Sequence, residues 1–100
     1  MDKVVYYNSL FLLYKNLLTN NEQDIFSLYY EENYSMGEIS EMKGISRSAV
    51  GKYITNVENK LQKYEDSLRC YEKNNKLIKL LDFNDIAVIK NGIQELLDIS

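Results

Sequence analysis

The chain has no proline and no histidine, a single cysteine and four glycines in 100 residues. Without proline, and with so few glycines among abundant Leu, Glu, Lys, Asn and Ile, little forces the backbone out of a helix, so an all-α chain is expected. One cysteine makes no intrachain disulfide. With no histidine beside it, the usual structural zinc sites and a Cys–His nucleophile pair are excluded. Long hydrophobic runs are also missing: MDKVVYYNSLFLLYKNLL is interrupted by Asn8, Ser9, Lys15 and Asn16, well short of the roughly 20 apolar residues of a spanning helix. A cytoplasmic protein without membrane insertion is the expectation. Nor is there a basic excess, since 12 Lys and Arg face 15 Asp and Glu for a formal net charge of −3. A nucleic-acid partner would have to be met by locally concentrated cations, because Lys and Arg contacts to phosphate supply most non-specific affinity.

What is present is helical periodicity. Val4, Tyr7, Leu10, Phe11, Tyr14, Leu17 and Leu18 recur at three- and four-residue steps and predict a first helix over 4–18. Tyr6, Leu12 and Leu13 widen its stripe, as in a helix lying between two partners. Thr19 with Glu22 three residues on predicts a capping box and a second helix to about Glu31, with Ile25, Phe26, Leu28, Tyr29 and Tyr30 inward. Ser35 and Glu38 repeat the device for a short helix over 36–43, with Met36, Ile39 and Met42 inward, closed by Gly44. Ser46 is an N-cap for a fourth helix starting at Arg47.

Helix, a turn through Gly44, Ile45 and Ser46, then helix is the helix-turn-helix pattern over 35–56. The two helices of that motif cross closely, which asks for a small residue in the first, a glycine at the turn and apolar residues after it. Ser40, Gly44, Ile45, Ala49, Val50 and Ile54 supply these in order. The outward positions of the second helix, which would face base edges and phosphates in a major groove, are Arg47, Ser48, Gly51, Lys52, Thr55 and Asn56. Arg47 suits guanine, Ser48 several bases and Lys52 phosphate. Between residues 34 and 56 Lys43, Arg47 and Lys52 outnumber Glu38 and Glu41, and a homodimer would double those cations.

The same helix is predicted to continue. Val50, Ile54, Val57, Leu61, Tyr64, Leu68 and Tyr71 alternate steps of four and three, a heptad seam with Glu58, Glu65 and Glu72 along one side and Lys60 on the other. A long helix over 47–73 follows, ending at Asn74 and Asn75, and its face Val57, Leu61, Tyr64, Leu68 and Tyr71 is the expected dimer or partner face. A last helix over 85–97 lies in a C-terminal extension, 82–100, beyond a helix-turn-helix domain of 1–81.

Catalysis finds no footing. Glu31 with Glu32, and Glu38 with Glu41, are joined by no nucleophile, metal ligand set or glycine-rich phosphate loop, so no enzyme, metal or cofactor is expected. Most of the nine tyrosines fall on apolar stripes and read as packing. Cys70 reads as an ordinary half-buried residue.

Three segments, NSLFLLYKNLLTNNEQ, LYYEENYSMGEISEMKGISRSAVGKYI and VENKLQKYEDSL, together resemble the YlxM family of small bacterial helix-turn-helix proteins over about residues 8–81. The shared features are LLT before the second helix, a tyrosine pair ahead of an acidic tyrosine-serine turn, GEI, SR-x-AV, and YE-x-x-L in the long helix. The resemblance implies a fold like the promoter-reading C-terminal domain of sigma factors with an added N-terminal helix. It also implies a regulatory link to the signal recognition particle pathway, and places the base-reading face on Arg47, Ser48, Gly51 and Lys52. Thr55 and Asn56 stand where family members often carry basic residues, Lys43 where an apolar one is usual, and residues 82–100 have no firm counterpart.

The expected protein is thus an all-α, sigma-like helix-turn-helix bundle, a homodimer binding double-stranded DNA as a regulator in the signal recognition particle pathway. The alternatives are a module that binds the particle's protein or RNA without reading DNA, and a purely structural dimer.

Overall fold

The computed structural model describes residues 2–98, and helices joined by short turns are the only regular structure among them. Residue 1 and residues 99–100, which belong to the two segments expected from the sequence, lie outside the described residues. The elements are α1 (Lys3–Tyr14), a 3-10 turn (Lys15–Leu17), α2 (Asn20–Tyr30), α3 (Met36–Lys43), α4 (Arg47–Leu68), α5 (Cys70–Leu80) and α6 (Ile86–Asp98). None is long and apolar enough to cross a membrane. Packing gathers the chain into two compact units, residues 1–64 and 65–100.

Both expected capping boxes form. The Glu22 N–H donates to Thr19 Oγ1 at 3.2 Å while the Thr19 N–H donates to Glu22 Oε1 at 2.9 Å. At Ser35 and Glu38 the corresponding distances are 3.1 and 3.0 Å. Each box satisfies two N–H groups that a helix start would otherwise leave without partners. The first helix departs from expectation at its end: α1 stops at Tyr14 and tightens into the 3-10 turn, which lets Leu18 fold inward ahead of the Thr19 cap.

In the first unit Leu10, Phe11, Tyr14 and Leu18 meet Ile25, Phe26 and Tyr30 of α2, Ile39 of α3, and Val50, Ile54, Val57 and Leu61 of α4 in one core. Phe26 stacks on Tyr30 with ring centroids 4.4 Å apart and touches Phe11 at 5.0 Å. Around that core α1 is tied to α4 by Tyr6 Oη donating to Gln62 Oε1 at 2.7 Å, by Lys3 beside Glu58 at 3.4 Å, and by Tyr14 against Tyr64. Met36 and Met42, expected inward, are exposed, since α3 is too short to bury more than Ile39. The far side of α1, with Val5 and Leu12, is exposed as well.

The second unit corrects the long helix. It stops at Leu68, not Lys73, because Arg69 adopts the left-handed conformation at φ 54° and ψ 31°. Buried Glu65 turns its carboxylate onto the start of the next helix, accepting the Tyr71 N–H at 3.0 Å and the Glu72 N–H at 3.1 Å. An acidic cap on two N–H groups, at the positive end of a helix dipole, makes the break at Arg69 favourable. Helix α5 then runs straight through Asn74 and Asn75, where an ending was expected. After a turn, Asp85 Oδ1 caps α6 by accepting the Ala87 N–H at 2.8 Å. The two helices close over Gly92, where a Cβ would come within 2.3 Å of a Leu80 methyl, so glycine here sets how near the helices lie.

Candidate nucleic-acid interface

The site is built from the turn outward. Gly44 ends α3 in the left-handed conformation at φ 67°, and its N–H reaches back to the Ser40 carbonyl. Ser40, the small residue at the crossing, donates its hydroxyl to the Ile45 carbonyl at 2.7 Å, and the Ile45 N–H returns to the Ser40 carbonyl at 3.2 Å. Ser46 Oγ accepts the Ala49 N–H at 3.0 Å and starts α4. These local bonds close the three-residue turn, while Ile39, Val50 and Ile54 pin both helices to the core. The beginning of α4 is therefore held rigidly at the surface.

The six candidate contact residues share that helix but not one environment. Arg47, Ser48, Lys52, Thr55 and Asn56 are exposed. Gly51 is half-buried, and a Cβ there would lie 3.8 Å from Met36 Sδ, so it faces the start of α3 rather than open solvent. Arg47 leans the same way: its guanidinium spreads over Gly37, 3.0 to 3.1 Å from where a Cβ would stand. Sequence reasoning missed Gly37, whose missing side chain makes the bed on which Arg47 lies; no spacing rule links residues ten apart across a turn.

Charge is distributed less generously than the count of local cations suggests. Lys43 pairs with Asp24 of α2, which ties α3 to α2 and offsets that cation with an acid. Among the described residues neither Arg47 nor Lys52 forms an ion pair. Arg47 sits in the first turn of α4, which has no acidic residue, so a cation occupies the positive end of the helix dipole. Local stability argues against that choice, and positions that violate a local rule are where function is to be sought. Nearby, the Ser35 N–H and hydroxyl hold the Glu38 carboxyl below its ordinary range, so that exposed charge persists beside the site. Among the described residues no three acidic or cysteine side chains converge as metal ligands would.

The expected partner face divides. Val57 and Leu61 are completely buried in the chain's own core, covered where α1 lies along α4, and Tyr64 is half-buried against Tyr14. Those three seam positions are covered within the first unit. In the second unit Leu68 is exposed and Tyr71 half-buried, with the Arg69 break between them.

Comparison with known proteins gives one consistent answer. The sequence profile described as "Putative helix-turn-helix protein, YlxM / p13 like", designated UPF0122, matches residues 1–98. A UPF0122 protein of Oceanobacillus iheyensis is 42% identical over 82 residues, covering 82% of this chain and 78% of that protein. One from Bacillus velezensis is 34% identical over 95 residues, covering 95% and 84%. Another, from Ureaplasma parvum serovar 3, is 38% identical over 90 residues, covering 89% and 91%.

Proposed function

We propose that this chain, which belongs to the UPF0122 family of YlxM / p13-like helix-turn-helix proteins, binds double-stranded DNA by laying the first turns of α4 in the major groove. The observation that carries this reading is the exposed, capped start of α4, where Arg47 and Lys52 form no ion pair among the described residues and Arg47 opposes the local dipole. Arg47 and Ser48 contact base edges, Lys52 and Thr55 the adjacent backbone, and Asn56 the far edge of the footprint. Gly51 serves by letting α4 approach Met36 rather than by touching a base. In a homodimer two such helices address half-sites about one helical turn apart. The regulatory setting is the signal recognition particle pathway, on the strength of the family resemblance.

One observation favours a second reading, an accessory that binds the particle's protein or RNA and not DNA. The chain is acidic overall and Lys43 pairs with Asp24, so each copy offers a phosphate backbone few cations, which suits the particle's protein better than DNA. A titration of the purified chain against labelled genomic DNA fragments and particle RNA, at low and physiological salt, separates the two. Fragment-selective DNA binding that falls with salt and is weakened by Arg47→Ala, the ~1–3 kcal/mol of a specific base contact, supports the regulator. RNA binding alone that survives Arg47→Ala and Lys52→Ala replaces it with the accessory.

A further inference from the structure

The run from Tyr29 to Tyr34 has no part in reading a groove. Val4, Tyr29, Tyr30, Asn33 and Tyr34 line an open pocket of about 230 Å³ at the carbonyl end of α2. Tyr29 meets Tyr30 edge to face at 5.3 Å, and Tyr34 is 37% exposed. Asn33, left-handed at φ 61°, turns the chain so that the Tyr34 N–H donates to the Leu28 carbonyl at 3.0 Å and its ring returns to the pocket. Tyrosine rings are negative over their faces and attract cations there.

The charges beside these rings favour the same kind of guest. The carbonyl end of α2 is the negative end of its dipole, yet its last turn holds no basic residue and Glu31 and Glu32 follow directly. Glu31 turns aside to accept the Ser27 hydroxyl at 2.6 Å. Glu32, between the lining residues Tyr30 and Asn33, is exposed and forms no ion pair among the described residues. Glu58 accepts the hydroxyl of Tyr30 from the other side, and Lys3, which leans on Glu58 at 3.4 Å, is not among the lining residues. The same rings could stack an unpaired base, but a nucleic-acid strand would bring phosphates against Glu32 and Glu58. An open pocket this small encloses too little of a free ligand to hold it alone, which suits a single side chain carried on a larger surface. We infer that the pocket receives the guanidinium of an arginine presented by a protein partner. A guanidinium is planar, stacks on aromatic faces and gives up water more readily than an ammonium. Neither DNA nor a second copy of the chain is required, so this inference stands or falls apart from the DNA reading.

The test is a titration of the full chain, followed through its tyrosine ring resonances, with an end-blocked glycine–arginine–glycine peptide. The same peptide with lysine in place of arginine, free arginine and adenosine monophosphate are the comparators. The arginine peptide is expected to give one saturable shift and to bind about fivefold more tightly than the lysine peptide. Tyr34→Leu, which keeps an apolar side chain but removes the ring, is expected to weaken it about fivefold, and Glu32→Gln about twofold, both with unchanged far-UV circular dichroism. Tyr71→Leu, in the second unit, leaves it intact. No saturable shift overturns the inference, as does binding that survives Tyr34→Leu. Equal affinity for the arginine and lysine peptides overturns stacking in favour of simple charge attraction, and binding unmoved by Glu32→Gln overturns the role of that acid. Tighter binding of free arginine overturns the protein partner, and tighter binding of the nucleotide makes the pocket a platform for unpaired bases instead.

Discussion

Gly37 and Arg47 separate two properties that substitutions usually mix. An alanine in the first turns of α3 gains up to ~1 kcal/mol of helix propensity over glycine. Its methyl would also press on the guanidinium resting there, which moves aside because it ends a flexible side chain. Gly37→Ala should therefore raise the melting temperature while weakening DNA binding roughly tenfold, within the ~1–3 kcal/mol of a well-placed base contact. Thermal denaturation and a binding titration on the same preparation check both signs. Stability and affinity falling together would mean that Arg47 is not positioned by this contact.

Glu22 carries a second residue-scale consequence. Burial pushes its carboxyl up, but the Lys60 ammonium at 2.6 Å and the Thr19 N–H and hydroxyl outweigh burial and hold it below its ordinary 4.5. The same bond raises Lys60 above its ordinary 10.5. A depressed acid stabilises the fold above 4.5 and loses that contribution as pH falls through its folded-state value. A raised base stabilises below 10.5 and loses it as pH climbs past its own. Melting temperature should thus hold between these limits and fall outside them, and Glu22→Gln should flatten the acid limb relative to wild type. Tyr30 is pushed up too, by burial and then by its bond to Glu58, so it stays a hydrogen-bond donor throughout that range.

Among the elements, the joint between α4 and α5 rests on very few atoms. One left-handed arginine and two hydrogen bonds to Glu65 replace what would otherwise be one helix. Glu65→Ala should cost about 1–2 kcal/mol, the usual loss of a helix cap, measured by urea unfolding. Arg69→Gly should stabilise by up to ~1 kcal/mol, because glycine takes the left-handed conformation without a Cβ penalty. This joint is also where sequence reading runs out. The heptad steps from Val50 to Tyr71 continue across it undisturbed, and an arginine carries no mark of a helix end. The decisive atoms belong to Glu65, four residues earlier, which looks like an ordinary flanking charge. By contrast both capping boxes, the Gly44 turn and the start of α4 were legible, since each is closed by residues within five positions of one another. At the candidate site the outward spacing of α4 could be read, whereas the Lys43–Asp24 pair and the Gly37 bed could not, because both depend on how helices meet.

At the scale of the whole molecule, α1 decides what the sequence seam is for. Tyr6, Lys3 and Tyr14 of α1 reach Gln62, Glu58 and Tyr64 of α4, and Val57 and Leu61 are fully buried in the first unit, so a coiled-coil pattern ends as an intrachain core. A charge at Leu61 would accordingly unfold the first unit rather than dissociate a pair of chains, at the several kcal/mol typical of a buried unpaired charge. Many of the large apolar side chains left open to solvent among the described residues lie on α1 and in α5, α6 and the turn between them.

The Tyr6–Gln62 bond closes a span of 56 residues, far longer than the turns and caps that define α2, α3 and the beginning of α4. Local contacts form early in a folding chain, and distant ones pay the loop entropy last. The three helices that carry the candidate interface can thus assemble before α1 docks on them, so α1 closes the first unit in the final step. In rates, Tyr6→Phe should leave refolding nearly unchanged and accelerate unfolding by the full loss in stability, severalfold for the ~1 kcal/mol of one hydrogen bond. Stopped-flow chevron arms would show it, and a slowed refolding arm would instead put α1 in the folding nucleus.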